Sequence, residues 1–342
     1  MSGHRFDWKW NLSDLHPDKD IKVLTCFSCG GGSSMGYKKA GFHVLGNVEI
    51  DPKINAMYVK NHHPKYNFNM DLRKFNEKQD IPEELYHLDI LDGSPPCTSF
   101  SMVGVREKSW GKKKKFKEGQ AAQTLDDLFF VFLDTVEKLK PKIVCAENVP
   151  GLLNGNSKGY VNQILKRFRE LGYEVQIFSL NAGRMDCPTA RHRIFFIANR
   201  MGYPKLKLDF HYDPIPFGEV KTGRGKKISE DSVMYPLIQK IAPKDRTLSD
   251  AYSRVMGGGS KYFGFQIVRD ELVCQAITAS RGSQLFRYTE RELLTDEDIR
   301  NCQTFPQDYD FNGNDVQYVC GMSVPPNMMA NIATEVYQQW LQ

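Results

Sequence analysis

Three short stretches carry side chains that could act together on one substrate. Gly93-Ser94-Pro95-Pro96-Cys97 follows the strand-like run Leu88-Asp89-Ile90-Leu91-Asp92. Glycine and two prolines cannot continue a strand ladder, so the backbone must turn sharply there and leave the next side chain at a fixed place on the sheet's rim. Open α/β sheets bind their ligands at that rim, which makes Cys97 a candidate nucleophile. Glu147, in Glu147-Asn148-Val149-Pro150-Gly151, ends a second such run and emerges on the same rim if the two strands are parallel. Arg191 and Arg193 flank His192 at the head of a third run, two residues apart and therefore expected on one face. A thiol, a carboxylate and two guanidinium groups at one rim suit nucleophilic catalysis with a proton-handling partner and a cationic clamp. Each of them alone also fits an ordinary surface group.

A fourth stretch suits a ligand. Ile21 to Phe27 reads as a buried strand broken at Gly30-Gly31-Gly32, with Ser33 or Ser34 placed to cap a helix running to Ala40. Backbone N–H groups at such a turn can hold a nucleotide-like group. Glu49 ends the next strand, close to the usual spacing of about 20 residues for a carboxylate that takes ribose hydroxyls. Asp71 is a further acceptor, suited to an adenine amino group. No Gly-x-x-x-x-Gly-Lys-Ser/Thr occurs, which excludes a P-loop. NAD and S-adenosyl-L-methionine remain. Hydride transfer has no evident use for a strand-end thiol, whereas methyl transfer to an unreactive ring carbon needs a covalent nucleophile, so the constellation around Cys97 decides between them. The lone Cys26-x-x-Cys29 has no second pair and no nearby histidine, and reads as small buried thiols; no metal is expected.

These residues need a scaffold that alternates strands with helices. The glycine turn, a helix to Ala40, a strand from Phe42 to Glu49 and a helix from Pro52 through Lys60 form a βαβ unit. The alternation continues with a helix from about Thr124 to Leu139, a strand Lys142–Glu147, a helix from about Tyr160 to Leu171, and strands over 173–178 and 193–198, the last two expected as a closing hairpin. The fold class is therefore α/β: a Rossmann-like, mostly parallel sheet with helices on both faces, plus a smaller loop- and strand-rich domain. Prolines and glycines interrupt every periodic run after about residue 201. The expected division is 1–200 for catalysis and cofactor, 201–317 for target recognition, and 318–342 returning to the first domain. Phe6, Trp8 and Trp10 alternate, as in a short edge strand or flap.

At 342 residues, with 41% hydrophobic and 25% charged positions, the chain can bury one large core and a modest second one. A net charge of +5 barely favours a polyanionic partner. The lysines at 108, 112–115 and 117, and the run Lys221, Arg224, Lys226, Lys227, are local basic clusters that also read as solvated loops. No apolar stretch approaches the roughly 20 residues of a membrane span and no secretory region opens the chain, so an intracellular protein with reduced thiols is expected.

The chain resembles the DNA cytosine-5 methyltransferases, of the bacterial modification type. The stretches that carry the resemblance are Phe27-Ser28-Cys29-Gly30-Gly31-Gly32, Glu49, Gly93 to Cys97, Glu147 to Gly151, Arg191-His192-Arg193, Glu297 to Phe311, and Gly321-Met322-Ser323-Val324-Pro325. The resemblance implies that Cys97 attacks C6 of a target cytosine, Glu147 holds N3 and the exocyclic amine, Arg193 contacts the base's carbonyl oxygen, and Arg191 supports Glu147 or a phosphate. It also implies a cofactor site in which Phe27 packs on adenine, Glu49 binds the ribose, Asp71 takes the adenine amine and Ser323 the methionine part, with Ser28, Gly30, Gly31, Gly32, Ile50, Pro95 and Val324 beside them. The chain departs from the family at Cys29, where the first glycine of the turn is usual, and at Thr189, where a glutamine is usual.

The reaction so implied moves a methyl group from S-adenosyl-L-methionine to C5 of a cytosine flipped out of double-stranded DNA. The long loop Phe100–Gln123 is expected to close over the flipped base, with Ser99, Ser101, Lys112, Lys113, Lys114 and Lys115 on the DNA and Lys221 and Arg224 as further phosphate contacts. A monomer, with a cognate restriction endonuclease as its partner in a restriction-modification system, completes that expectation. The same chemistry on transfer RNA and a non-catalytic DNA-binding regulator are the alternatives.

Overall fold

The computed structural model describes residues 3–96, 128–154, 158–258, 264–280 and 285–342. In chain order these form β1 (Lys22–Cys26), α1 (Gly32–Lys39), β2 (His43–Val48), α2 (Pro52–His62), β3 (Tyr66–Phe68), α3 (Leu72–Glu77), β4 (Ile90–Gly93), α4 (Leu128–Leu139), β5 (Ile143–Asn148), α5 (Lys158–Glu170), β6 (Glu174–Asn181), β7 (Thr189–Ala190) and β8 (His192–Asn199). There follow α6 (Phe217–Val220), α7 (Tyr235–Ile238), α8 (Leu248–Met256), β9 (Gln266–Val268), β10 (Cys274–Gln275), β11 (Leu285–Arg287), β12 (Glu292–Leu293), α9 (Asp296–Cys302), α10 (Val316–Met322) and α11 (Pro326–Val336). Among the described residues no helix is long and apolar enough to cross a membrane. The described cysteines form no disulfide.

The chain makes two compact units, each of several segments: residues 14–181, 192–209 and 329–342 in the larger, and 1–13, 182–191 and 210–328 in the smaller. The larger unit holds a seven-stranded sheet in the order β3-β2-β1-β4-β5-β8-β6. β1, β2, β3, β4 and β5 run parallel, and β8 runs against both of its neighbours. The α/β class and the mostly parallel sheet are thus as the alternation of elements predicts. The last two strands do pair antiparallel, but β8 slots between β5 and β6 and leaves β6 at the edge. The ten intervening residues, 182–191, belong to the smaller unit, so the pair is not a tight hairpin.

Helices lie on both faces of this sheet, as two adjacent residues of β4 show. A Cβ on Gly93 would stand 2.5 Å from Phe132 of α4, whereas the neighbouring Asp92 accepts a hydrogen bond from Tyr37 of α1 at 3.2 Å. Successive strand residues face opposite ways, so α4 and α1 cover opposite faces. The α4 face is the apolar one: Leu24, Leu91, Phe132, Val144 and Phe196 pack in a single buried cluster, with Phe129 edge-on to Phe196 at 5.2 Å. Burial of each such side chain contributes about 2–3 kcal/mol, which fixes the strands' register against the helices.

The smaller unit has a three-stranded sheet in the order β12-β11-β9, around Leu237, Ile238, Leu248, Phe265, Ile267 and Phe286. Its strands are two or three residues long, and two of its helices start from capping boxes, Thr247 with Asp250 for α8 and Thr295 with Asp298 for α9. The alternating aromatics near the N-terminus make no strand. Trp10 instead donates its indole N–H to the Thr304 carbonyl at 2.9 Å within this unit.

Candidate active site

The catalytic rim is assembled by register. β4 and β5 pair in parallel with Gly93 opposite Ala146, so Glu147 stands one step beyond the last residue of β4, on the same rim as the segment that leads to Cys97. That segment is held in place by Asn148, whose side-chain N–H donates to the Pro95 carbonyl at 3.1 Å in a buried contact. Asn148 follows Glu147 directly, so one strand end both presents the carboxylate and fixes the turn after β4. β8 runs in the opposite sense with Ile194 opposite Asn148, and its first residues therefore arrive at the rim where β5 ends. Arg193 Nε lies 2.7 Å from Glu147 Oε1, with the two side chains 15% and 12% exposed. A carboxylate and a guanidinium so placed are mostly dry, yet open on one side to a ligand. Cys97, Ser99, Ser101, Lys112, Lys113, Lys114, Lys115 and the loop 100–123 lie outside the described residues.

Arg191 does not share the face of Arg193. It sits in the break between β7 and β8, where the two-residue periodicity of a strand no longer applies, and it belongs to the smaller unit. It is buried there and donates to the carbonyls of Ile277 at 2.9 Å and Gly321 at 2.8 Å. These two hydrogen bonds tie the guanidinium to backbone within its own unit.

The glycine turn winds through the left-handed region. Phe27, Cys29 and Gly31 all take positive φ, at 55°, 43° and 73°, and their own N–H groups are held within the fold, by the Val48 carbonyl, Glu49 and the Ser28 carbonyl respectively. Cys29 keeps the left-handed backbone even though it replaces a glycine. Gly31 precedes α1 without any side-chain cap, which leaves the helix's first N–H groups to other acceptors. Gly31 also packs on the ring of His62 so closely that a Cβ would lie 2.1 Å from Nε2. Phe27, Ser28 and Ile50 are half-buried, and Gly30 and Gly32 are buried.

Glu49 is buried at the end of β2; its Oε2 accepts from the Cys29 N–H at 2.9 Å and its Oε1 from the Asp51 N–H at 3.0 Å. Burial pushes its carboxyl up, against the lowering by those two N–H groups. Each oxygen keeps a lone pair for a further donor. Asp71 caps α3, accepting from the Arg73 N–H at 2.8 Å, and pairs with the Arg73 guanidinium at 3.2 Å. Ser323 and Val324 are buried in the smaller unit, where the Ser323 hydroxyl donates to the Val319 carbonyl at 2.8 Å.

The Lys221 ammonium is paired with Asp270 and, at 2.5 Å, with Glu290. Arg224, three residues on, is exposed. The residues that sequence reasoning missed are Asn148 and Asp92. Asp92 is buried on β4, and its signal was a carboxylate inside an otherwise apolar run.

The model of the C-5 cytosine-specific DNA methylase family matches residues 21–338. The chain is 27% identical over 350 residues to the type II methyltransferase M.NgoPII of Neisseria gonorrhoeae, an alignment covering 92% of this chain and 95% of the relative. It is 29% identical over 358 residues to M.Sau96I of Staphylococcus aureus, covering 95% and 78%. Among solved structures, a DNA modification methyltransferase encoded within an Escherichia coli prophage superposes with a TM-score of 0.67 at 19% identity, covering 94% of this chain and all (100%) of that one. The Dnmt2 methyltransferase of S. pombe gives 0.60 at 14%, over 95% of this chain and 100% of its own. The two structures share the fold; the match over residues 21–338 says more, and by it this chain belongs to the C-5 cytosine-specific DNA methylase family.

Proposed function

We propose that this enzyme methylates C5 of a cytosine flipped out of double-stranded DNA, with S-adenosyl-L-methionine as methyl donor and a covalent bond between Cys97 and C6 on the way. The observation that carries the reading is the Glu147–Arg193 pair at 2.7 Å, on the rim where Asn148 holds the carbonyl of Pro95, two residues before Cys97. C5 of cytosine is a weak nucleophile, and adding a thiolate at C6 makes it electron-rich. Cys97 forms that bond; Glu147 holds N3 and the exocyclic amine and offsets charge gained by the ring; Arg193 turns to the carbonyl oxygen. The cofactor supplies an electrophilic methyl carbon, and after C5 has taken it, loss of the C5 proton and release of Cys97 restore the ring.

The residues of the glycine turn fit this cofactor. The uncapped start of α1 and the buried Glu49 suit a ribose and its neighbours, with Phe27 and Ile50 on adenine, Asp71 on its amine, and Ser28, Gly30, Gly31, Gly32 and Pro95 lining the approach. Ser323 and Val324 are proposed for the methionine part. Flipping the base costs a few kcal/mol, which closure of the loop 100–123 over it would offset. The proposal extends to residues 201–317 as the reader of the DNA sequence and to a restriction-modification role inside the cell, since the relatives named above are type II methyltransferases. A monomer is proposed, with a cognate endonuclease as its counterpart.

The test is a DNA duplex carrying 5-fluorocytosine in the target, which blocks loss of the C5 substituent and traps the enzyme. A cofactor-dependent adduct that survives denaturation and disappears in Cys97→Ala supports the mechanism. Bisulfite sequencing of DNA from expressing cells gives the target; methylation of transfer RNA in preference to DNA, or none of either, overturns the substrate.

A further inference from the structure

On the sheet face under α1 two neighbouring carboxylates, Asp92 and Glu147, stand near one guanidinium, that of Arg193. Asp92 pairs in register with Cys145 on β5, and Glu147 lies two residues further along β5, hence on the same face and diagonally adjacent. Glu147 has Arg193 at 2.7 Å. Among the described residues Asp92 has no cation beside it: it accepts from the Tyr37 hydroxyl at 3.2 Å and has hydrogen bonds with Ser33 and Cys145, all neutral groups. The other titratable side chains that sense it are Cys26 on β1 and Tyr58 on α2, also neutral when protonated. Across the sheet, behind Gly93, stands the ring of Phe132. At 2% exposure Asp92 lies out of reach of bulk water.

Asp92 also joins the two halves of the proposed reaction. Ser33 and Tyr37 belong to α1, the helix that starts at the cofactor turn, whereas Asp92 lies on the strand that leads to Cys97. A single carboxyl therefore clasps the cofactor element to the nucleophile's strand. We propose that Asp92 is a positioning residue of the methylation site that works in its protonated form, clasping α1 to β4 while leaving Glu147 the sole carboxylate opposite Arg193. This inference rests on the proposed function only for its effect on turnover; the clasp and its titration stand apart from it.

The balance of charges explains the choice of partner. With Asp92 neutral, the face carries one negative and one positive group. With Asp92 ionised it carries a net negative charge just where the cytosine ring gains electron density, and the clasp sits beside a like charge. Burial first, and then the charge of Glu147, raise the Asp92 carboxyl to about 7, while Tyr37 and Ser33 lower it. The two forms thus exchange in the physiological range, and the site loses efficiency as pH rises through that value.

The test pairs a titration with a rate profile. Carbon-13 spectra of aspartate-labelled protein, with the Asp92 carboxyl assigned by its loss in Asp92→Asn, should show a midpoint near neutrality. That midpoint should fall in Glu147→Gln, which removes the like charge, and rise in Tyr37→Phe, which removes a donor to the ionised form. In methylation assays the ratio of the Asp92→Asn rate to the wild-type rate should climb several-fold between about pH 6 and about pH 8, and Tyr37→Phe should move the wild-type decline upward in pH. An Asp92 midpoint in the ordinary carboxylate range, or a rate ratio flat in pH, overturns the proposal. A wild-type protein that methylates no cytosine strikes the proposed function instead, and the midpoints still decide whether the clasp exists.

Discussion

Ion pairs do opposite work in the two units. At the rim of the larger one, Glu147 and Arg193 stand at the ends of adjacent strands, each slightly open, and among the described residues each is the other's charged partner. In the smaller one, Arg287 and Asp298 are sealed inside, 2% and 0% exposed and 2.5 Å apart, and the same guanidinium donates to the carbonyls of Thr222 and Gly223. The first pair can be rearranged by a ligand because little else depends on it. The second clamps a loop, a strand and the cap of α9 together, since Asp298 also accepts from the N–H groups of Thr295 and Thr222. Identical chemistry is a tool where topology leaves it at a strand end and a rivet where topology buries it.

The largest expected effect tests the tool end. Cys97→Ser should lower the rate of 5-methylcytosine formation by at least about a thousandfold, because nucleophile loss removes an interaction made only in the transition state, while the melting temperature stays within a few degrees of wild type. Retained turnover would remove the rim from the reaction altogether. Next comes the rivet. Arg287→Ala should destabilise the protein by about 3–5 kcal/mol in urea unfolding, since it leaves Asp298 buried without its cation. Glu147→Gln, which keeps a hydrogen-bond acceptor opposite Arg193 at the less deeply buried pair, should cost clearly less in the same assay. Equal losses for the two would erase the contrast.

Asp92 lies between these cases: buried like the rivet, but with no cation beside it among the described residues. Its folded carboxyl is raised to about 7 from an ordinary 3.8, so the folded state holds a proton that the unfolded chain releases. Stability from this group is therefore full below about pH 4, is lost as pH rises through 7, and is flat beyond. Wild type should lose on the order of a few kcal/mol relative to Asp92→Asn over that window, read as a widening gap between their urea midpoints. A gap constant in pH would place Asp92 among ordinary partnered carboxylates.

The same contrast explains what could be read in the sequence. In the larger unit, apolar runs such as Lys142–Glu147 alternate with helices, and in a parallel sheet that alternation alone places strand ends at one rim; Glu147 followed from it. The position of β8 did not, because an antiparallel strand inserted between β5 and β6 has the same local sequence as one at the edge. β3, three residues long, has no period to detect. Arg191 failed for a related reason: a spacing of two predicts a shared face only inside a strand, and the chain leaves β7 before reaching it. In the smaller unit the strands are too short for alternation, and their register depends on buried charges such as Arg287 and Asp298, eleven residues apart in sequence, whose pairing leaves no local trace.

Lys221 and Arg224 give the smallest effect and the closest test of that lesson, since both lie in one basic run and would be counted alike as DNA contacts. Lys221 is neutralised by Asp270 and Glu290, and these partners hold its ammonium more firmly in the charged form than usual. A phosphate would have to compete with two carboxylates already in place. Arg224 is exposed and so can meet a phosphate at little cost. Each phosphate neutralised releases counterions, so loss of one contact should lower the slope of log affinity against log salt by about 0.9. Arg224→Ala should therefore flatten the salt dependence of DNA binding by roughly that amount and leave stability within about 0.5 kcal/mol of wild type. Lys221→Ala should leave the slope unchanged and lower stability instead, because Asp270 and Glu290 then face one another without a cation between them. Fluorescence anisotropy across a salt series, with urea midpoints on the same preparations, separates the two; if Lys221→Ala alone flattens the slope, DNA breaks the pairing seen here, and the smaller unit's ion pairs are as open to exchange as the pair at the rim.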